Sequence, residues 1–402
     1  MTATPPPATS RAAHYHRESV LAAVRAHGAI SRAGLARSTG LARATVSAIV
    51  AEFEAAGVLK ELPPGPDTER GSGRPSRLLA FSDTVGTVVG IDFGRSQVRA
   101  ALASLSGEVL AEDHLPLDVG VSADAALDTA VELAFRLHTE TEAARGAVLA
   151  AVAGLPAPIH RRTGKVLVGN ILPGWVDRIP AVELEARLGV PVRVENDANL
   201  SALGEQRRGG ARGLRDVLFL VVSSGIGAGL VLGGRIHRGS LGIAGEIGHI
   251  PVDSDGALCR CGNRGCLETL VSVGALRDML QTRYTETLSM ARIDELAAAD
   301  PVVKRVLTDA GRTIGRTVAE LAQSLNPAAV VVGGDLEHGA ALIAQGVRES
   351  IDRYTHLAVA EAVTVKVAEL GPRAAVLGAV AAALDASPLG ELLGTRTELG
   401  DG

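Results

Sequence analysis

Every cysteine of this 402-residue chain lies in one stretch, "CRCGNRGC", as Cys259, Cys261 and Cys266, and His249 stands ten residues before the first of them. Three thiolates and an imidazole make a closed tetrahedral zinc set, which leaves no open position for a reacting water and therefore stiffens a loop rather than hydrolysing a substrate. Two other readings compete, inert buried thiols and a redox pair. The interleaved Arg260, Asn263 and Arg264 argue against burial, and a redox pair normally takes the form Cys-x-x-Cys. Around the cysteines, "GEIGH" sets Glu246 and His249 one turn apart, "CLE" ends on Glu268, and "VENDAN" puts Asn196 and Asp197 at the end of an apolar strand. Together these carboxylates, amides and the imidazole offer paired acceptors and donors suited to the hydroxyls of a sugar. Singly, each would serve as a cap or turn residue, and "NDAN" suits a helix N-cap.

The elements that must hold these residues are legible on either side of them. "VGTVVGIDFGRSQVRAALASLSGEVLAEDHLPL" alternates apolar runs with turn residues and reads as three successive strands. The pattern returns at "DVLFLVVSSGIGAGLVLGGRIHRG", and further strands are expected at "VLAAVAGLP", "VPVRVEND", "AVVVGGDL" and "VTVKVAEL". Two such openings predict an internally duplicated α/β fold with a cleft between its halves. Glycine-rich turns facing that cleft let the backbone approach phosphate, although each alone is equally a tight hairpin.

The first eighty residues differ from the rest. They carry ten Lys and Arg against six Asp and Glu, a balance of +4 that leaves −9 for the remainder of a chain whose net charge is −5. A basic head on an acidic body suits a polyanionic partner. "HYHRESVLAAVRAHGAI" predicts a helix and Ser31 caps a second one that stops at Gly40. In "LARATVSAIVAEFEAAGVL", Val46, Ile49, Val50 and Phe53 make one apolar stripe, while Arg43, Thr45 and Ser47 fall on other faces near the helix start. Two helices, a tight turn and a third helix with a polar, basic start form a helix-turn-helix whose second helix enters the major groove. "VLKEL" and "SRLLAF" supply the strands of a wing. In the loop between them "GSGRPS" is either a flexible linker or an extended arm that brings Arg74 into an AT-rich minor groove. The proline-rich start, residues 1–13, reads as a disordered tail, and residues 386–402 as a second tail. No apolar run reaches the length of a membrane span, and an odd cysteine count without a secretory leader points to the cytoplasm.

With these motifs in place, the chain resembles the ROK family of repressors, open reading frames and sugar kinases, and within it the transcriptional regulators. The most specific match is Glu-x-x-His followed by Cys-x-Cys-Gly-x-x-Gly-Cys-x-Glu. The resemblance implies a winged helix-turn-helix over 14–80 and an actin-like, hexokinase-type (ribonuclease H-like) ATPase fold in two lobes over 85–385, with a zinc loop at 246–268. It implies zinc ligation by His249, Cys259, Cys261 and Cys266, and sugar contact by Asn170, Asn196, Asp197, Glu246, His249 and Glu268. In the kinases of the family the residue matching Asp197 is the general base. Their first phosphate motif, Asp-x-Gly-Gly-Thr-Lys, is here Asp92-Phe93-Gly94-Arg95-Ser96-Gln97, so a bulky cation replaces a glycine and an amide replaces the lysine. The second, around Gly225 and Gly227, and the third, at Gly333 and Gly334, stay closer to the pattern. The altered first motif argues against Mg-ATP binding and against catalysis. The expectation is a sugar-responsive repressor that acts on a DNA operator as a homodimer or homotetramer; an ATP-dependent sugar kinase with an appended head is the alternative, and a protein effector a third reading.

Overall fold

The computed structural model describes residues 8–62, 77–82, 84–142, 146–167 and 172–387. Asn170 and Arg74, both singled out above, lie outside the described residues, as do most of the wing loop and residues 388–402. The head consists of α1 (Ala8–His27), β1 (Ile30–Ser31), α2 (Arg32–Thr39), α3 (Arg43–Ala55), β2 (Leu59–Leu62) and β3 (Leu78–Phe81), with sheet order β1-β3-β2. Helix α1 begins six residues before the expected boundary at 14: the tail "ATSRAA" is rich in strong helix formers and is drawn into the helix. Ser31 caps α2 by accepting from Gly34 N at 3.1 Å, and Gly40 ends it in the left-handed region at φ +70°. Val46, Ile49, Val50 and Phe53 of α3 are all buried, as their spacing required.

The body contains two sheets of identical topology. In the first, β4 (Gly86–Phe93), β5 (Gln97–Ser104) and β6 (Val109–Pro116) form an antiparallel meander, and β7 (Ala147–Leu155) and β8 (Val192–Asn196) add in parallel on the other side of β4, giving the order β6-β5-β4-β7-β8. In the second, β9 (Val217–Val222), β10 (Ile226–Leu232) and β11 (Arg235–Ile236) repeat the meander, with β12 (Ala329–Gly334) and β13 (Thr364–Val367) parallel beyond β9. The duplication read from two strand-turn-strand passages is therefore present strand for strand.

The helices of the first lobe are α4 (Ala123–Glu140), α5 (Pro180–Leu188) and α6 (Asp197–Arg208). Those of the second are α7 (Leu267–Val271), α8 (Val273–Gln281), α9 (Met290–Ala299), α10 (Pro301–Leu325), α11 (His338–Tyr354) and α12 (Leu357–Ala362). The last helix, α13 (Ala374–Ala386), returns to pack on α6, β4 and β7 of the first lobe. Every residue of β4 is buried because α4 covers one side of its sheet and α13 the other. Among the described residues no helix is long and apolar enough to cross a membrane.

Two close approaches set the geometry. Where α6 crosses α13, a Cβ placed on Gly378 would lie 2.5 Å from the carbonyl carbon of Leu200 and closer still to its oxygen, and one placed on Gly204 would meet Gly378 N at 3.1 Å. The two backbones touch through these glycines. The head is joined to the same layer by one continuous apolar core, in which Val20, Leu21 and Val24 of α1 and Phe81 of the wing cluster with Ala103, Leu105, Leu377, Val380 and Leu384. Arg25 reinforces the seam, donating to Leu105 O at 3.1 Å and Leu384 O at 3.4 Å and stacking over Phe81.

Candidate functional site

The lobes face each other across a pocket at the N-terminus of α6. It is lined by Arg95, Pro158, Asn196, Asp197, Gly225, Gly227, Glu246, His249, Arg260 and Glu268 among others. Asn196 is the cap of α6, its side-chain oxygen accepting from Asn199 N at 3.2 Å and its amide donating to Ala157 O at 3.4 Å. The cap reading and the pocket reading of "NDAN" therefore both apply to this residue. Asp197, the first helical residue, accepts from Ala198 N at 2.8 Å.

Burial dominates the electrostatics here. It pushes the Asp197 carboxyl up to about 6, against the opposing pull of the Ala198 N–H and the Arg95 guanidinium. Asp92, at the end of β4, is pushed up to about 7 by burial and then by the neighbouring Asp197 charge, with Arg99 opposing. Glu246 reaches about 7, again through burial first and then the charges of Asp197 and Glu268. A metal ion beside His249 would draw Glu246 back down.

The cysteine loop is shaped by isolated antiparallel bridges, Pro251 with Cys266 and Leu258 with Arg264. Backbone bonds from Cys259 N to Asn263 O (2.7 Å) and Gly262 N to Cys259 O (2.9 Å) curl it further. The result gathers ligand atoms of His249, Cys259, Cys261 and Cys266 within 4.8 Å of one another. Cys261 Sγ and Cys266 Sγ are 3.6 Å apart, and Cys259 Sγ is 3.5 Å from His249 Nδ1. A tetrahedron with metal–sulfur bonds of about 2.3 Å has edges of about 3.8 Å, so the donors are spaced to hold a metal and are consistent with zinc. With Nδ1 turned to the thiols, His249 Nε2 lies 3.9 Å from Glu246 Oε2 and faces the pocket. One imidazole thus joins the metal-binding group to the cleft.

Arg260 is the functional residue that sequence reasoning missed. It enters the sequence argument only as a polar interruption between thiols, yet it grips buried Glu268 with two bonds, Nε to Oε1 at 3.0 Å and Nη2 to Oε2 at 2.7 Å. A pair eight residues apart in an irregular loop leaves no periodic signal. Gly225 lies beneath this pair: a Cβ there would come 2.9 Å from Arg260 Nη2. Asp335, directly after Gly333 and Gly334, is likewise raised by burial, with Arg95 opposing. Gly334 adopts φ +130°, and a Cβ there would come 2.6 Å from the Val222 carbonyl carbon in β9, which explains a glycine there without a phosphate. Arg95 stands at the pocket rim among the carboxylates of Asp197, Glu268 and Asp335. Ser96 beside it is exposed, Gln97 opens β5, and Gly94 completes the turn. In the head, Arg43 and Ser47 are exposed and Thr45 half-buried at the start of α3, whose N-terminus no side chain caps.

Comparison with known proteins gives a consistent picture. A model described as the ROK family matches residues 88–386, and one described as winged helix-turn-helix DNA-binding matches residues 15–60. A putative xylose repressor of Caldicellulosiruptor sp. (strain Rt8B.4) is 30% identical over 376 residues, covering 90% of this chain and 93% of its own. A glucokinase of Streptomyces coelicolor is also 30% identical, over 329 residues that cover 76% of this chain and 100% of its own. Among solved structures, a ROK family transcriptional regulator described as a homolog of the Escherichia coli MLC protein superposes with a TM-score of 0.80 at 25% identity, covering 97% of this chain and 100% of the other. These two relatives, one a repressor and one a kinase, share the same identity with the chain. They differ in how much of this chain they span.

Proposed function

Since the chain belongs to the ROK family, we propose that it is a sugar-responsive DNA-binding repressor acting in the cytoplasm. The observation that carries this reading is a winged head fused by one core to a two-lobed body whose cleft presents Asp197, Glu246, His249 and Glu268. Exposed Arg43 and Ser47, with Thr45, read base edges from the open N-terminus of α3. The sugar's hydroxyls are held by Asn196, Asp197, Glu246, His249 and Glu268, and Asn170 joins them from outside the described residues. A zinc ion held by His249, Cys259, Cys261 and Cys266 fixes the loop, so that Glu268 and the His249 imidazole meet the ligand already oriented. Closure of the lobes on sugar alters the spacing of two heads in a dimer, which must stand about 34–36 Å apart to engage successive major grooves. A ligand acts this way only through its preference for one lobe arrangement.

The kinase reading rests on Asp197, whose carboxyl near pH 6 would suit a general base. Against it stands Arg95, which occupies the rim where transferring phosphates would need small residues and open backbone. Promoter binding by the purified full chain, measured with and without a panel of hexoses, pentoses and amino sugars, tests the proposal. A sugar that shifts operator affinity without ADP release supports it. Sugar-dependent ADP release from ATP would establish the kinase instead.

A further inference from the structure

A second cavity, of about 740 Å³, runs along the flank of α6 rather than at its N-terminus. It falls within the ~300–1,000 Å³ range of small-molecule sites. Both lobes build it. Arg161 and Arg193 come from the first lobe, Arg207 from α6, and Arg235 and Arg238 from around β11 in the second lobe. Among the described residues the carboxylates in its lining are Glu195 and Asp385, so five guanidinium groups against two acids leave a local charge of +3 on a body that is acidic as a whole. Two of the five are already engaged: Arg238 pairs with Glu195 across the lobes, and Arg207 with Asp385 at 3.1 Å. The Arg161 guanidinium donates to Gly239 O, at 3.3 Å, and has no carboxylate partner among the described residues. Arg193 and Arg235 are exposed, and their guanidinium groups have no hydrogen-bond or ion-pair partner among the described residues. The floor between them is apolar, formed by Val152, Ala181, Leu200 and Leu203.

We infer that this cavity is a binding site for a small organic bisphosphate, distinct from the sugar cleft. Two phosphoryl groups carry about −3 to −4 at neutral pH, which matches the uncompensated charge. Guanidinium forks suit phosphoryl oxygens, and the apolar floor accepts a carbon skeleton. The concave shape and limited volume favour a metabolite over a nucleic-acid strand. Its position gives the ligand leverage. Glu195, which holds Arg238, also accepts from Asn196 N and Asn199 Nδ2, both at 2.9 Å, at the base of the sugar pocket. An anion drawing Arg235 and Arg238 toward Arg161 and Arg193 therefore changes how the lobes meet around the sugar.

The test is calorimetric titration of the full chain with a hexose 1,6-bisphosphate, with sodium sulfate at matched ionic strength as control. The expected result is one saturable site per chain, retained in Asp197→Asn and weakened at least tenfold in the double variant Arg193→Gln/Arg235→Gln. Both arginines are exposed and unpaired, so the double variant should fold normally, which its circular dichroism would verify. Saturating bisphosphate should also shift sugar affinity on the order of fivefold or more in the wild type and not in the double variant. The inference is overturned by binding that survives the double variant, by binding lost in Asp197→Asn, by equal competition from sulfate, or by no saturation at millimolar ligand. A double variant that loses only duplex affinity would overturn it too, assigning the groove to DNA.

Discussion

The crossing of α6 and α13 offers the sharpest test of how the fold positions its site. Replacing Gly378 with alanine would put a methyl 2.5 Å from the Leu200 carbonyl carbon and 3.0 Å from Gly204 N. Ordinary carbon–carbon contacts sit at about 3.5–4.0 Å, so the two helix backbones must part by about 1 Å. No side chain can yield, because the clash is with main chain on both sides. Overpacking of this kind costs typically 1–3 kcal/mol, and a backbone-to-backbone clash in a fully buried seam belongs at about 3 kcal/mol. With a urea slope near 3 kcal/mol/M, the denaturation midpoint should fall by about 1 M. Sugar affinity should fall with it, because Asn196 caps α6 and Asp197 begins it, within one turn of Leu200. Gly274→Ala is the internal control. That glycine lies in α8 with only Ser272 Oγ nearby, at 3.9 Å, so alanine there should stabilise by about 0.5–1 kcal/mol. If Gly378→Ala shifts the midpoint by less than about 0.2 M, or leaves sugar affinity intact while stability falls, the reasoning that this crossing sets the pocket is wrong.

Metal analysis of the purified chain should find one zinc per molecule, and Cys261→Ser or a strong chelator should remove it and weaken sugar binding at least tenfold, on the order expected for a lost orienting shell. Folding stability should decline as pH rises from about 4 to about 7, because Asp92 keeps its proton in the folded state up to about 7 while the unfolded chain releases it near 3.8. Asp92→Asn should flatten that part of the pH–melting curve. Sugar affinity should instead weaken below pH 6, where Asp197 takes up a proton and loses its capacity as a pure acceptor, and titration at pH 5 and pH 7.5 would show the contrast. Arg43→Ala should cost about 1–3 kcal/mol of discrimination against mutated operators while leaving non-specific duplex affinity within severalfold, as competition binding would reveal.

The residues that declare themselves in the sequence do so through period or rarity. Val46, Ile49, Val50 and Phe53 announce a helix face, two strand-turn-strand passages announce the duplication, and three clustered cysteines announce their loop. What escapes is whatever depends on the meeting of distant segments. Arg260 and Glu268 pair through an irregular loop, Gly204 and Gly378 meet across 174 positions of sequence, and the five-arginine cavity draws on both lobes. Proline at 5–7 makes the whole of 1–13 read as a tail by composition, whereas α1 begins at Ala8 with the run Ala-Thr-Ser-Arg-Ala-Ala.

The head's seam with the body constrains how a signal can travel. A head on a flexible tether would answer sugar by changing its own freedom, but here α1 and the wing share a core with β5 and α13, and Arg25 bonds to the carbonyls of Leu105, directly after β5, and of Leu384 in α13. Burial lowers the Arg25 pKa only against a cation that the Asp385 and Glu18 charges help retain, so the seam is charged as well as apolar. The head must move with the first lobe as one body. Lobe closure on a ligand would then displace the second lobe relative to head and first lobe together. Loosening the seam by Leu105→Ala, which deletes a fully buried side chain at a cost of about 2–5 kcal/mol, should weaken the effect of sugar on operator binding while leaving sugar affinity itself unchanged.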